Sequence, residues 1–272
     1  MRKAVFFDID GTILDAVGGI HKLTPRVRAA LKNLQAAGHL IFIATGRPFA
    51  FMQEEILNFG FDGLVMNNGA VATVDSEVIF RHDLPKDDVK KIRDIAVADN
   101  VEYIFESYPY TYCKKNFTAF QKFFKRIDAK TEKIISDFDF EKISVSKIEC
   151  LTERTDTESV EATYEKMLAT PGFTGWADPF HFKTLEIYSD KVSKATGIFK
   201  VLEHFKIPVE NSFAFGDGKN DYEMVSQVGT GFAMATGAED FKCCAKFVVP
   251  SVHEDGVAVG IEKYILDGKM ER

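Results

Sequence analysis

The first residues able to do chemistry are Asp8-Ile9-Asp10-Gly11-Thr12. Side chains two apart in a strand point the same way, so Asp8 and Asp10 converge at its end. Two carboxylates held together repel unless a cation lies between them or one is protonated. Gly11 permits a sharp turn away. A second acidic pair, Asp217 and Asp221, stands in Gly216-Asp217-Gly218-Lys219-Asn220-Asp221. Acids from two strand ends make a hard, oxygen-rich site that suits Mg²⁺, which takes one or two carboxylates plus waters and phosphate oxygens. Each segment alone also reads as a turn, the first as an acidic loop cap and the second as an Asn/Gly turn.

Two cations stand where helices are expected to begin. Thr45-Gly46-Arg47 precedes a helix opened by Pro48, and Ser193-Lys194 starts another. A cation at a helix N-terminus opposes the macrodipole. A bound anion makes both placements favourable, because free N–H groups at helix starts hold phosphate well. Solvated surface residues are the alternative for either one alone. Beside a metal site, Arg47 and Lys194 together point to a phosphate site. Asn67-Asn68-Gly69 can reach the same place or can form a hairpin turn. The six histidines show no metal-ligand spacing, and no GxSxG, Walker A or GxGxxG context occurs.

These residues need a scaffold that brings strand ends together. Residues 4–9 form an apolar run, expected as a buried parallel strand. Thr24-Pro25 opens a helix with Val27, Ala30, Leu31 and Leu34 on its buried stripe. Strands are expected at 40–45 and 63–67, with the Pro48 helix between them. This alternation predicts right-handed crossovers and a parallel sheet. The rhythm changes after residue 80, to a helix from Pro85, strands at 101–106 and 110–114, and a Phe117, Phe120, Phe124, Ile127 helical face. A strand near 145–151, a helix near 156–168 and strands near 173–177 and 181–187 complete an α+β insert. Alternation then returns: a helix from Ser193, a strand at 212–215, a helix with Met224, strands at 231–235 and 247–249, and a final helix from Asp255. The expected division is a discontinuous core, 1–83 and 184–272, around an inserted domain, 84–183.

Composition narrows the classes. The 272 residues are 46% hydrophobic and 28% charged, enough for a sizeable globular core. Lys plus Arg number 34 against 41 Asp plus Glu, a net charge of −7. That argues against nucleic acid or an anionic membrane as partner. No apolar run approaches the roughly 20 residues that span a bilayer, so no membrane segment is expected. Asp8 interrupts the apolar start, so no export is expected either. Cys113, Cys150, Cys243 and Cys244 show no CxxC pair, which fits reduced thiols in the cytoplasm.

In their order and spacing, these segments resemble the haloacid dehalogenase (HAD) superfamily of phosphatases. Asp8-Ile9-Asp10-Gly11-Thr12 matches the DxDGT motif, Thr45 the second motif, Lys194 the third, and Gly216-Asp217-Gly218-Lys219-Asn220-Asp221 the fourth. Thr45-Gly46-Arg47, Asn67-Asn68-Gly69-Ala70, Met224 and Glu254-Asp255-Gly256-Val257 resemble the Cof-type branch, subclass IIB. Only about 35 residues separate Asp10 from Thr45, too few for a cap there, so the insert falls where that subclass carries its own. The resemblance implies an α/β fold: a Rossmann-like parallel-sheet core with an inserted α/β cap. It implies Asp8 as nucleophile, forming an aspartyl-phosphate, and Asp10 as general acid and base. Mg²⁺ would be held by Asp8, the Asp10 carbonyl and Asp217, with Asp221 in or near the shell. Thr45 and Lys194 would bind the transferring group, assisted by Asn220. Ala195 and Ala235-Thr236-Gly237-Ala238 depart from the usual motif surroundings, which bears on loop shape and substrate preference.

The expected function is a Mg²⁺-dependent phosphatase of small phosphorylated metabolites, with sugar phosphates the foremost class. A phosphotransferase or phosphomutase on the same site is the alternative. A non-catalytic phospho-ligand module is a third reading, against which the full set of catalytic residue types counts. A monomer or small homo-oligomer is expected. The insert is expected to act as a lid, with hinges near 82–85 and 183–187. Tyr108, Tyr112, Trp176 and His181 are candidate substrate contacts within it.

Overall fold

The computed structural model describes residues 1–127, 129–178 and 184–267. Candidate contact His181 and hinge residue Lys183 therefore lie outside the described residues. By its contacts the chain divides into two compact units. One is Met1–Gly46, Glu54–Phe80 and Ser193–Arg272; the other is Arg47–Gln53 with Arg81–Val192.

The first unit begins with β1 (Ala4–Phe7), whose four residues are all fully buried. α1 (Pro25–Ala36) follows, with Thr24 Oγ1 accepting the Val27 N–H at 3.2 Å and Pro25 in its first turn. Its Val27, Ala30, Leu31 and Leu34 are buried, as their spacing predicts. β2 (Leu40–Ala44) comes next. A single helix from Pro48 does not form. Phe49–Phe51 makes one 3₁₀ turn, and α2 (Glu54–Leu57) is separate. The reason lies in packing: Ala50 and Phe51 are buried in the second unit with Phe120 and Phe124, which draws this stretch away from α2. β3 (Gly63–Met66) runs parallel to β2, and β4 (Val71–Val74) returns antiparallel to it. β5 (Glu77–Arg81) follows.

The second unit contains α3 (Lys86–Ala98), β6 (Glu102–Glu106), β7 (Thr111–Cys113), α4 (Thr118–Arg126) and β8 (Ile134–Ile135). It continues with β9 (Lys147–Leu151), α5 (Thr157–Leu168), β10 (Phe173–Asp178) and β11 (Thr184–Ser189). Its six-stranded sheet has the order β10-β11-β9-β6-β7-β8. Strand alternation sorts the two faces. Tyr103, Phe105, Ile148, Cys150, Leu185 and Ile187 pack with buried residues of α3 and α5. Ile104, Cys113 and Leu151 face the other way, against Ala119, Phe120 and Phe124 of α4.

The chain then supplies α6 (Lys194–Phe205), β12 (Ser212–Gly216), α7 (Tyr222–Gln227), β13 (Thr230–Met234), α8 (Glu239–Cys244), β14 (Phe247–Val249) and α9 (Gly256–Gly260). The eight-stranded sheet of the first unit has the order β14-β13-β12-β1-β2-β3-β4-β5, parallel from β14 through β3. Register places Phe7 beside Phe215, Phe215 beside Phe232, and Phe232 beside Phe247. Their rings stack at 5.2, 4.3 and 5.7 Å. Burying each phenylalanine is worth about 1.5–3 kcal/mol. The central strands are thereby anchored, and their carboxyl ends are held at one edge. Among the described residues, no helix is long and apolar enough to cross a membrane.

Candidate active site

β12, β1 and β2 are parallel neighbours, so the residues after them share one edge of the sheet. Ligands of open α/β sheets bind outside such carboxyl ends. Asp8 extends β1, its N–H donating to Phe215 O at 3.0 Å, and its side chain is almost wholly buried. Thr45 follows β2 with its N–H on Val65 O at 2.8 Å, and it too is buried. Asp217 follows β12. Gly11 turns away with φ +77°, and a Cβ there would lie 2.1 Å from Asp217 Oδ2. No other residue satisfies both demands. Thr12 Oγ1 donates to Asp217 Oδ1 at 3.4 Å.

Lys194 is the first residue of α6, and its side chain is fully buried. Its Nζ donates to Asp8 Oδ1 and to Asp221 Oδ1, each at 2.6 Å. Asp221 Oδ2 accepts the N–H groups of Asp217 and Gly218, both at 3.0 Å. Asp221 thus holds the loop in shape while pairing the lysine. These pairings answer the dipole problem posed by a cation at a helix start. They also compensate the cost of burying an ammonium group.

Carboxylate oxygens of Asp8, Asp217 and Asp221 all lie within 4.8 Å of one another, as a metal site requires. Burial and then the Asp221 charge push Asp8 well above the usual carboxylate range, with Asp217 and Asp10 adding to the push and Lys194 opposing it. Burial, Asp221 and Asp10 push Asp217 up to about 7, against the pull of Lys194 and Thr12. For Lys194, burial favours the neutral amine, but Asp221 and Asp8 outweigh it and hold the ammonium charged. Three carboxylates against one ammonium leave an excess of negative charge, so this donor set fits a hard divalent cation.

A family model of haloacid dehalogenase-like hydrolases matches residues 5–261. The chain belongs to that family. The 5-amino-6-(5-phospho-D-ribitylamino)uracil phosphatase YitU of Bacillus subtilis is 27% identical to this HAD protein over 278 residues, covering 96% of each chain. A phosphoglycolate phosphatase of Methanosarcina acetivorans is 27% identical over 267 residues, covering 96% of this chain and 95% of that one. A solved HAD subclass IIB sugar phosphatase superposes with a TM-score of 0.81 at 27% identity, covering 97% of this chain and 99% of that one. The present chain is an enzyme of this HAD phosphatase class, with a parallel-sheet core.

Within the HAD core the structure brings together Asp8, Lys194, Asp217 and Asp221, while Thr45 follows the neighbouring strand β2 and Asn220 bonds Asn68. Asp10 is exposed, and its charge acts on both Asp8 and Asp217. Arg47 is placed differently. It belongs to the second unit, where its Nη1 donates to Phe51 O at 3.0 Å and its charge helps hold the Glu149 carboxyl down. Two further residues contribute. Thr12 bonds Asp217, and its signal was its place in the first motif. Asn68 accepts from Asn220 Nδ2 at 3.2 Å, which is a turn reaching the site as its position allowed. Burial pushes the Cys113 thiol up to about 12 and raises Cys150 by the same cause, which disfavours the thiolate form at both.

Proposed function

We propose that this enzyme hydrolyses small phosphorylated metabolites, sugar phosphates foremost, with Mg²⁺ as cofactor and an aspartyl-phosphate on Asp8 as intermediate. The observation that carries this reading is Lys194 bridging Asp8 and Asp221 inside a three-carboxylate cluster. An Asp8 carboxylate oxygen would attack phosphorus in line with the leaving oxygen. Asp10, two residues on and exposed, would donate a proton to the leaving alcohol. It would then take a proton from the water that opens the acyl phosphate. Lys194 and Thr45 would hold the transferring oxygens, with Asn220 assisting. Arg47 comes last in this set, because its guanidinium is engaged with Phe51 O and Glu149.

Asp8, Asp217 and the Asp10 carbonyl would hold Mg²⁺, with Asp221 beside that shell because both its oxygens already accept hydrogen bonds. When bound, the ion neutralises charge on the phosphoryl group. We assign the choice of leaving group to the second unit, acting as the cap. The four free cysteines support a cytoplasmic setting.

The test is phosphate release from a panel of hexose and pentose phosphates, phosphoglycolate, a ribitylaminouracil phosphate and nucleotides, with and without Mg²⁺. Metal-dependent release led by the sugar phosphates is expected. Release only on adding an acceptor alcohol would establish a phosphotransferase instead. No release from any member by folded, metal-loaded protein would overturn the hydrolase reading.

A further inference from the structure

The turn after β3 does more than close the β3–β4 hairpin. Asn67, Asn68 and Gly69 all take positive φ, at 52°, 54° and 92°. Few side chains accept that region, and Asn does so more readily than most. Gly69 is required for a second reason: a Cβ there would lie 1.8 Å from Ser193 O. The turn therefore presses against the residue that precedes Lys194. The Asn68 N–H donates to Thr45 O at 3.2 Å. Its side chain is buried, and its Oδ1 accepts from Asn220 Nδ2 at 3.2 Å. A Cβ on Gly46 would come 2.7 Å from Asn68 Oδ1 and 3.4 Å from Asn220 Nδ2, so the amide pair lies over the segment carrying Thr45. One turn thus meets the three segments that bear Thr45, Lys194 and Asn220.

We infer that Asn68 is a positioning residue for phosphoryl transfer, acting through Asn220. The inference rests on the phosphatase reading above. Asn220 is exposed, so nothing about its own burial fixes its amide. A carboxamide presents two N–H donors at one end and an acceptor oxygen at the other. Only the donor end suits an anion. Asn68 Oδ1 takes one Asn220 N–H, which fixes the amide's orientation and leaves the second N–H for a phosphoryl oxygen. Without Asn68, the amide is free to rotate and present its oxygen to the phosphate. Asn67 supplies the comparison. It is buried with a similar φ, but its Nδ2 meets no hydrogen-bond partner among the described residues.

Asn68→Gly deletes the amide while keeping the left-handed backbone accessible. We expect kcat/KM to fall about tenfold, mostly in kcat, and orthovanadate affinity by calorimetry to weaken about as much. Asn67→Gly, which loosens the same turn, should stay within about twofold of the parent. Asn220→Ala should match the Asn68→Gly loss, and the double variant should be no worse than Asn220→Ala alone. Wild-type turnover and vanadate affinity in Asn68→Gly would overturn the inference. So would losses that multiply in the double variant, or an equal loss in Asn67→Gly. Wild-type protein that binds vanadate yet releases no phosphate would count against hydrolysis, and the vanadate affinities of the variants would still decide the role of Asn68.

Discussion

Asp8, Asp217 and Asp221 share a small volume with one ammonium, and that imbalance shapes what single substitutions should do. Lys194→Ala leaves two buried carboxylates without their partner. It should cost about 3–5 kcal/mol of stability in metal-free protein, read by urea unfolding. Mg²⁺ should recover part of that loss, whereas a variant as stable as the parent would contradict the counter-ion role. Asp217→Ala should raise the Mg²⁺ concentration needed for half-maximal turnover sharply; an unchanged metal titration would remove Asp217 from the ligand set. The clustering of Asp8, Lys194 and Asp217 was legible from sequence, because each stands at a motif position next to a strand end or helix start. Arg47 groups differently. One residue beyond Gly46, it falls in the other unit, and only the packing of Phe51 with Phe120 and Phe124 decides that.

Elements with strong periodicity were legible from sequence. The α1 stripe and the fully buried β1 follow directly from apolar spacing. β4 and β5 were not legible, since an antiparallel extension after β3 breaks the strand–helix rhythm, and the Asn67-Asn68-Gly69 signal served as both turn and site. The expected Pro48 helix failed because tertiary packing of its aromatics outweighed local propensity. On the α4 side of the second sheet lies a charged cluster that sequence alone did not single out. Lys147 is buried on β9, 3.1 Å from Glu106 Oε2 and 3.2 Å from Glu186 Oε2, with Glu149 on the same strand face. Alternation within β9 carried the hint, but the partners come from two other strands. Lys147→Ala should destabilise the protein by about 3–5 kcal/mol, because it strands buried carboxylates. A denaturation midpoint equal to the parent's would show that the cluster is not a stabilising pair network.

For the molecule as a whole, proton linkage follows from both charged centres. Burial first, and neighbouring acids second, hold Asp217 and Glu149 at about 7, above their ordinary values. The folded chain therefore binds these protons more tightly than the unfolded chain. Their contribution favours folding in acid and is lost as pH rises through about 7. Metal-free protein should melt at a lower temperature at about pH 8 than at about pH 6, and Glu149→Gln should reduce the difference. Mg²⁺ should raise the melting temperature more at the higher pH, where Asp217 is ionised. A melting temperature that rises between those pH values in metal-free protein would contradict this assignment. The central claim concerns the chemistry itself, phosphoryl transfer to Asp8. Its most direct test is phosphate release from the preferred substrate by wild type and by Asp8→Asn, each with saturating Mg²⁺ and with unfolding curves showing both are folded. The account predicts rapid release from wild type and none above background from Asp8→Asn; release that persists in the variant would contradict it.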